Sequence, residues 1–143
     1  MNKVSTPTVF LTRRHVFSAS HRLHSTELSD PENQELFGKC NGKNGHGHNY
    51  TVEVTLKGKI NPKTGMVFSL SALKEILAET VDKELDHKNL NLDVPRFKAL
   101  NPTAENIAFV IWQMLVEKLP PQLLYEVRLF ETENNIALYR GES

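Results

Sequence analysis

His46-Gly47-His48-Asn49-Tyr50-Thr51-Val52-Glu53-Val54-Thr55-Leu56-Lys57-Gly58 decides how the chain must fold. His48, Tyr50, Val52, Val54 and Leu56 share one parity, which His46 extends. Thr51, Glu53, Thr55 and Lys57 share the other. That alternation predicts a strand with one buried and one polar face. Side chains of a strand alternate sides, so the two histidines stand together where the apolar face begins, provided no bulge resets the register. Two imidazoles converging on one point suit a borderline-soft metal, above all zinc. The preceding Cys40-Asn41-Gly42-Lys43-Asn44-Gly45 brings the chain's only cysteine close by in sequence.

A partner strand is predicted over Thr8–Ser20, rich in β-branched and aromatic residues. Val9, Leu11, Phe17 and Ala19 share its apolar parity, and His21 carries that parity into the interior. Thr12, Arg14, Ser18 and Ser20 take the other side. His24–Lys43 is polar, contains Asp30-Pro31, Gly38 and Gly42, and is predicted to be a long surface connection that delivers Cys40. Beyond the second strand, Asn61–Gly65 has turn chemistry, and Met66–Phe68 is expected to return as a short hairpin strand.

Ser69 is suited to cap a helix from Leu70 to about Leu85, with Leu70, Leu73, Ile76, Leu77, Val81 and Leu85 as its apolar stripe. The pattern breaks over Asp86–Pro102, giving a second long loop. A second helix, capped by Thr103 or Asn101, runs to about Leu119 on the stripe Ile107, Ala108, Ile111, Leu115 and Leu119, and Pro120-Pro121 stop it. Leu123–Thr132 and Ile136–Tyr139 are the last strands, joined by Glu133-Asn134-Asn135. Tyr125, Val127, Leu129 and Glu131 share one parity of the first of these. The order predicts an α+β domain, one sheet with both helices on one face. The other face, with Thr51, Glu53, Glu126 and Arg128, is polar and either solvated or turned to a partner.

At 143 residues the chain reads as a single domain, 1–143. Seventeen Lys and Arg balance 17 Asp and Glu, which leaves no net field to steer it onto nucleic acid or an anionic membrane. No apolar run approaches the ~20 residues of a membrane span. Met1–Thr8 is polar and lacks the apolar core of a signal peptide. A lone cysteine forms no internal disulfide, which fits a reducing, cytoplasmic compartment.

Four groups carry chemistry. His21, His46 and His48 each sit where an apolar strand face gives out, so three imidazoles can meet at one end of the sheet. Three histidines with an open fourth position make a catalytic rather than a structural zinc site. Cys40, flanked by Lys39 and Lys43, can serve beside such a metal as base, nucleophile or fourth ligand. Asp86-His87, at the predicted helix end, suits either simple termination of the helix or a carboxylate orienting a proton-moving imidazole. Glu131 places a carboxylate on core parity, where it must be paired or serve a ligand. It could accept two parallel N–H bonds from an amidine-like edge, as in a guanine or pterin ring. Glu105, in the first turn of the second helix, needs only the helix dipole to explain it.

Five blocks, Phe17–Leu23, Leu36–Asn41, Asn44–Tyr50, Leu85–Leu90 and Glu131–Asn135, resemble the 6-pyruvoyltetrahydropterin synthase family in order and across nearly the whole chain. The resemblance implies a tunnelling fold: a four-stranded antiparallel sheet with two antiparallel helices on one face, closing into trimers that stack as a homohexamer. It implies zinc on His21, His46 and His48, Cys40 as catalytic cysteine, Asp86 and His87 as its proton-transfer partners, and Glu131 as pterin anchor. The implied substrate is 7,8-dihydroneopterin triphosphate, and the products are 6-pyruvoyl-tetrahydropterin and inorganic triphosphate, a lyase step towards tetrahydrobiopterin. Active sites at subunit interfaces are implied as well. Arg22, Lys39 and Lys43 are candidates for the triphosphate by charge and position. The rivals are a 6-carboxy-tetrahydropterin synthase of deazapurine biosynthesis and a non-catalytic zinc- or pterin-binding subunit. The five-residue gap between Cys40 and His46 favours the pyruvoyl enzyme.

Overall fold

Two strands of 14 residues, β1 (Thr8–His21) and β2 (His46–Lys59), pair antiparallel along their whole length in the computed structural model, which describes residues 6–143. The first five residues of the polar Met1–Thr8 stretch lie outside the described residues. Between the strands lie α1 (Asp30–Phe37) and a 3₁₀ turn, Gly38–Asn41. The chain continues through α2 (Leu70–Leu77), β3 (Lys88–Asn89), α3 (Leu90–Asp93), α4 (Ala104–Val116), β4 (Leu124–Phe130) and β5 (Ile136–Tyr139). The sheet order is β3-β1-β2-β4-β5. The four longer strands each run antiparallel to their neighbours, as expected, and the two-residue β3 adds a fifth, parallel to β1 at Ala19 and Ser20. It is too short to show a period in the sequence.

The predicted core parity is observed. Phe17, Ala19, Tyr50, Val52, Val54, Leu56, Val127 and Leu129 form one buried face, against which Leu73 and Leu77 of α2 and Ile107, Ile111 and Leu115 of α4 pack in a single cluster. Each such side chain contributes about 1.5–3 kcal/mol by leaving water. Both major helices thus cover one side of the sheet, and the α+β architecture stands.

Four local expectations are corrected. Met66–Phe68 forms no strand: Asn61 N–H bonds Met66 O, but both edges of β2 are already taken, by β1 and by β4 up to Lys57 N–H to Leu123 O. The His24–Lys43 connection contains α1, started by a capping box in which Ser29 Oγ accepts from Glu32 N–H and the Glu32 carboxylate from Ser29 N–H. The Asp86–Pro102 loop is built of β3, α3 and a 3₁₀ turn at Pro95–Phe97. Tyr125 leaves the core parity because the β2–β4 register slips by one residue between Thr55 and Leu56. Its ring stands on the outer face, edge-on to Phe10 and under Lys57 and Arg140.

The first predicted helix holds, with one refinement. Beyond α2 it passes through a π-helical turn, Ala78–Asp82. Leu73, Leu77, Val81 and Leu85 recur every four residues, slower than the ~3.6 of an α-helix, so an unbroken α-helix would carry each ~40° further off the sheet. A wider turn realigns them, and Asp86 N–H reaches back to Val81 O at 3.1 Å. Of the two candidate caps for the second helix, Thr103 serves, its side chain accepting from Asn106 N–H.

Candidate active site

The β1–β2 register places His21 directly opposite His46, and His48 follows two residues on, on the same face. One ring nitrogen from each lies within 4.8 Å of the others. Gly45 makes the approach possible: it has φ +74°, and a Cβ there would sit 2.8 Å from His21 O. His21 is fully buried. Its Nδ1 donates to Pro102 O at 2.7 Å, since a carbonyl only accepts, so Nε2 is the nitrogen with a free lone pair, 3.2 Å from His46 Nε2. The Tyr50 hydroxyl stands 3.3 Å from His21 Nδ1, beneath the cluster.

Burial pushes the His21 imidazolium down to about 4. The Pro102 carbonyl opposes that shift, and the neighbouring His46 and His48 add to it. His46 is lowered too, by burial and by His48, against a raising influence of Glu131. Both rings are therefore neutral at physiological pH, the form that ligates metals. His48 Nε2 is buried without a hydrogen-bond partner. An orphaned ring nitrogen is costly in an apolar setting and is satisfied by a cation at its lone pair. Three imidazoles, one with its outer nitrogen fixed by a carbonyl, make a donor set that suits zinc with an open position.

Cys40 lies in the 3₁₀ turn after α1 and is half-buried. Its carbonyl accepts from Leu23 N–H at 2.8 Å, and the Asn41 side chain donates to Leu23 O, so the turn is clipped two residues beyond His21. Burial raises the Tyr50 hydroxyl well above its usual range, and the Glu131 carboxylate raises it further.

Glu131 ends the buried face of β4, with Oε2 4.0 Å from His21 Nε2 and its side chain 16% exposed. It borders a cavity of about 730 Å³ together with Leu23, Phe37, Thr103, Glu105 and Asn134. Glu105 was explicable from the sequence by the helix dipole alone, yet it lines the same cavity. No periodicity signals that, because the α4 terminus reaches the sheet end only in three dimensions. The Pro102 carbonyl, as a backbone group, was equally illegible.

Asp86 and His87 contact each other. Asp86 Oδ2 lies 2.9 Å from His87 Nδ1, and Oδ1 accepts from Ser18 N–H at 2.9 Å. The Ser18 bond is the main reason the Asp86 carboxyl sits below its usual range, followed by the His87 contact. His87 adopts φ 61°, its amide bonds Ser18 O at 2.6 Å, and its side chain is 81% exposed. It shares a cavity of about 420 Å³ with His48. The fold therefore joins the three histidines with Glu131, and Asp86 with His87, but makes no hydrogen bond between Cys40 and either member of that pair. A third cavity, about 760 Å³, is bordered by Arg22, His24, Lys39 and Lys43 against the single carboxylate of Asp30.

The sequence profile of the 6-pyruvoyl tetrahydropterin synthase family matches residues 10–142. The chain is 54% identical to the human 6-pyruvoyl tetrahydrobiopterin synthase over 132 residues, 92% of this chain and 91% of the relative. It is 52% identical to the Dictyostelium discoideum protein of the same name over 135 residues, 94% and 98% of the respective lengths. Its fold superposes on the Caenorhabditis elegans 6-pyruvoyl tetrahydropterin synthase with a TM-score of 0.93 at 45% identity, covering 98% of this chain and 100% of that one. Likeness of this extent, spanning every element that bears on the histidine cluster, places the chain in the 6-pyruvoyl tetrahydropterin synthase family.

Proposed function

We propose that the chain is a zinc-dependent lyase that converts 7,8-dihydroneopterin triphosphate to 6-pyruvoyl-tetrahydropterin with elimination of inorganic triphosphate. The observation that carries this is the meeting of His21, His46 and His48 within 4.8 Å, with the Glu131 carboxylate 4.0 Å from His21, in a chain that matches the family from residue 10 to 142.

His21, His46 and His48 would hold the zinc, which would supply Lewis acidity to the oxygens of the substrate side chain. Cys40 as thiolate takes a proton from a side-chain carbon. Asp86 holds His87 through Nδ1, which leaves Nε2 as the nitrogen that gives or takes a proton. Glu131 accepts the paired N–H edge of the pterin ring. Arg22, Lys39 and Lys43, which border one cavity, receive the triphosphate. The oxidation and reduction are internal to the substrate, so no nicotinamide is required.

The exposure of His87 suits a site completed by neighbouring subunits, as in a hexamer of two stacked trimers. The lone cysteine fits a cytoplasmic location. Among the described residues no helix is long and apolar enough to cross a membrane.

Incubation of the zinc-loaded protein with 7,8-dihydroneopterin triphosphate tests the assignment. The expected products are 6-pyruvoyl-tetrahydropterin and triphosphate in equal amounts, and a carboxylated pterin with acetaldehyde would transfer the chain to the 6-carboxy branch. Two variants read the two ends of the substrate. Glu131→Gln is expected to raise KM about 10–100-fold, the weight of a charge-assisted bond pair, and to weaken a phosphate-free dihydropterin equally. Lys39→Gln with Lys43→Gln is expected to raise KM about 10-fold at low salt and less at high salt, with phosphate-free pterin unaffected. Equal losses for both ligands in the lysine variant would remove the basic cavity from the substrate site.

A further inference from the structure

A second carboxylate–imidazole contact lies outside the candidate site, with His15 Nε2 2.6 Å from Asp82 Oδ1. His15 occupies the β1 parity that buries Phe17 and Ala19, and its side chain is mostly buried. An apolar residue would serve the core better there, so the histidine needs another reason. Asp82 closes the π-helical turn. It precedes Asp86 by four residues, the spacing that sets two side chains side by side on one helix face.

The two carboxylates grip β1 in series. Asp82 takes the His15 ring, and Asp86 takes the Ser18 amide three residues further along. The main chain links them as well, because Asp86 N–H bonds both Val81 O and Asp82 O, at 3.1 and 3.3 Å. Asp86 then holds His87, whose left-handed backbone is fixed by its own bond to Ser18 O. Two like charges at this spacing repel unless each has a partner.

We propose that His15 and Asp82 are positioning residues: their contact seats the π turn on β1, and thereby sets the placement of the Asp86–His87 pair. Neither residue touches substrate. The inference rests on the assignment of Asp86 and His87 to proton transfer.

The test uses the zinc-loaded enzyme and the variants Asp82→Asn, Asp82→Glu, His15→Gln and His87→Ala. Asp82→Asn and His15→Gln are expected to lower kcat about 10-fold, as small displacements of catalytic groups do, with KM and zinc content unchanged. The limb of the kcat–pH profile that vanishes in His87→Ala should move in both. Asp82→Glu, which keeps the charge, should recover much of the rate. An unmoved pH limb in Asp82→Asn and His15→Gln would overturn the proposal. So would a loss of kcat that only tracks lost zinc or a lowered melting temperature. Full activity in His87→Ala would instead overturn the underlying assignment.

Discussion

Cys40→Ala is expected to remain folded, keep its zinc and lose turnover by on the order of 10³-fold, the scale of removing a positioned general base. The side chain belongs to a short 3₁₀ turn held by backbone and asparagine bonds, Leu23 N–H to Cys40 O and Asn41 Nδ2 to Leu23 O, none of which uses the sulfur. The residue is half-buried, so truncation opens no large void. Zinc content per chain, hydrodynamic size and single-turnover rate measured together discriminate among its possible roles. Loss of zinc would mark Cys40 as a fourth ligand, and undiminished turnover would remove it from the mechanism.

His48→Ala is expected to abolish stoichiometric zinc binding and, with it, activity to below ~1% of the parent, because two imidazoles cannot replace a three-ligand set. Zinc measured by atomic emission after gel filtration checks the first part, and failure of added zinc to restore turnover checks the second. Retained zinc at one per chain would shift the metal elsewhere. The metal-free parent should also respond to acid. The folded chain holds His21 at about 4 against an ordinary 6.5, so as pH falls below about 6.5 the unfolded chain takes up the proton first. Metal-free stability should therefore decline from about pH 6.5 towards 4 through this group, while bound zinc, which keeps the folded imidazoles unprotonated, should raise stability near neutrality and make it fall more steeply with acid. Denaturant midpoints across the range, with and without zinc, measure both.

The histidine cluster was legible because it depends on a period of two repeated on paired strands. Once β1 and β2 align, the parity of His21 meets that of His46 and His48 without further information. The major helices were legible for the same reason, from apolar spacing and from Ser69 and Thr103 as caps. Shorter features were not. Helix α1 has almost no apolar stripe, and only its Ser29–Glu32 capping box marks it. Tyr125 was placed on the wrong face because a bulge leaves no trace in alternation. The contribution of Glu105 to the cavity and of the Pro102 carbonyl to His21 depends on where α4 begins in space. The pairing of Asp86 with His87 follows from adjacency, but the Ser18 amide that fixes Asp86 comes from a strand 68 residues away.

Pro102 and Thr103 are consecutive residues with separate tasks beside the histidine cluster. The carbonyl of the first fixes the tautomer of His21, while the second caps α4 and borders the cavity of Glu131. A single planar peptide unit thus joins the carbonyl that holds His21 to the residue that borders the Glu131 cavity. The proline ring stiffens it further by locking the preceding torsion. The spacing between these two contacts is therefore set by covalent geometry, so the start of α4 and the orientation of the His21 ring are fixed together.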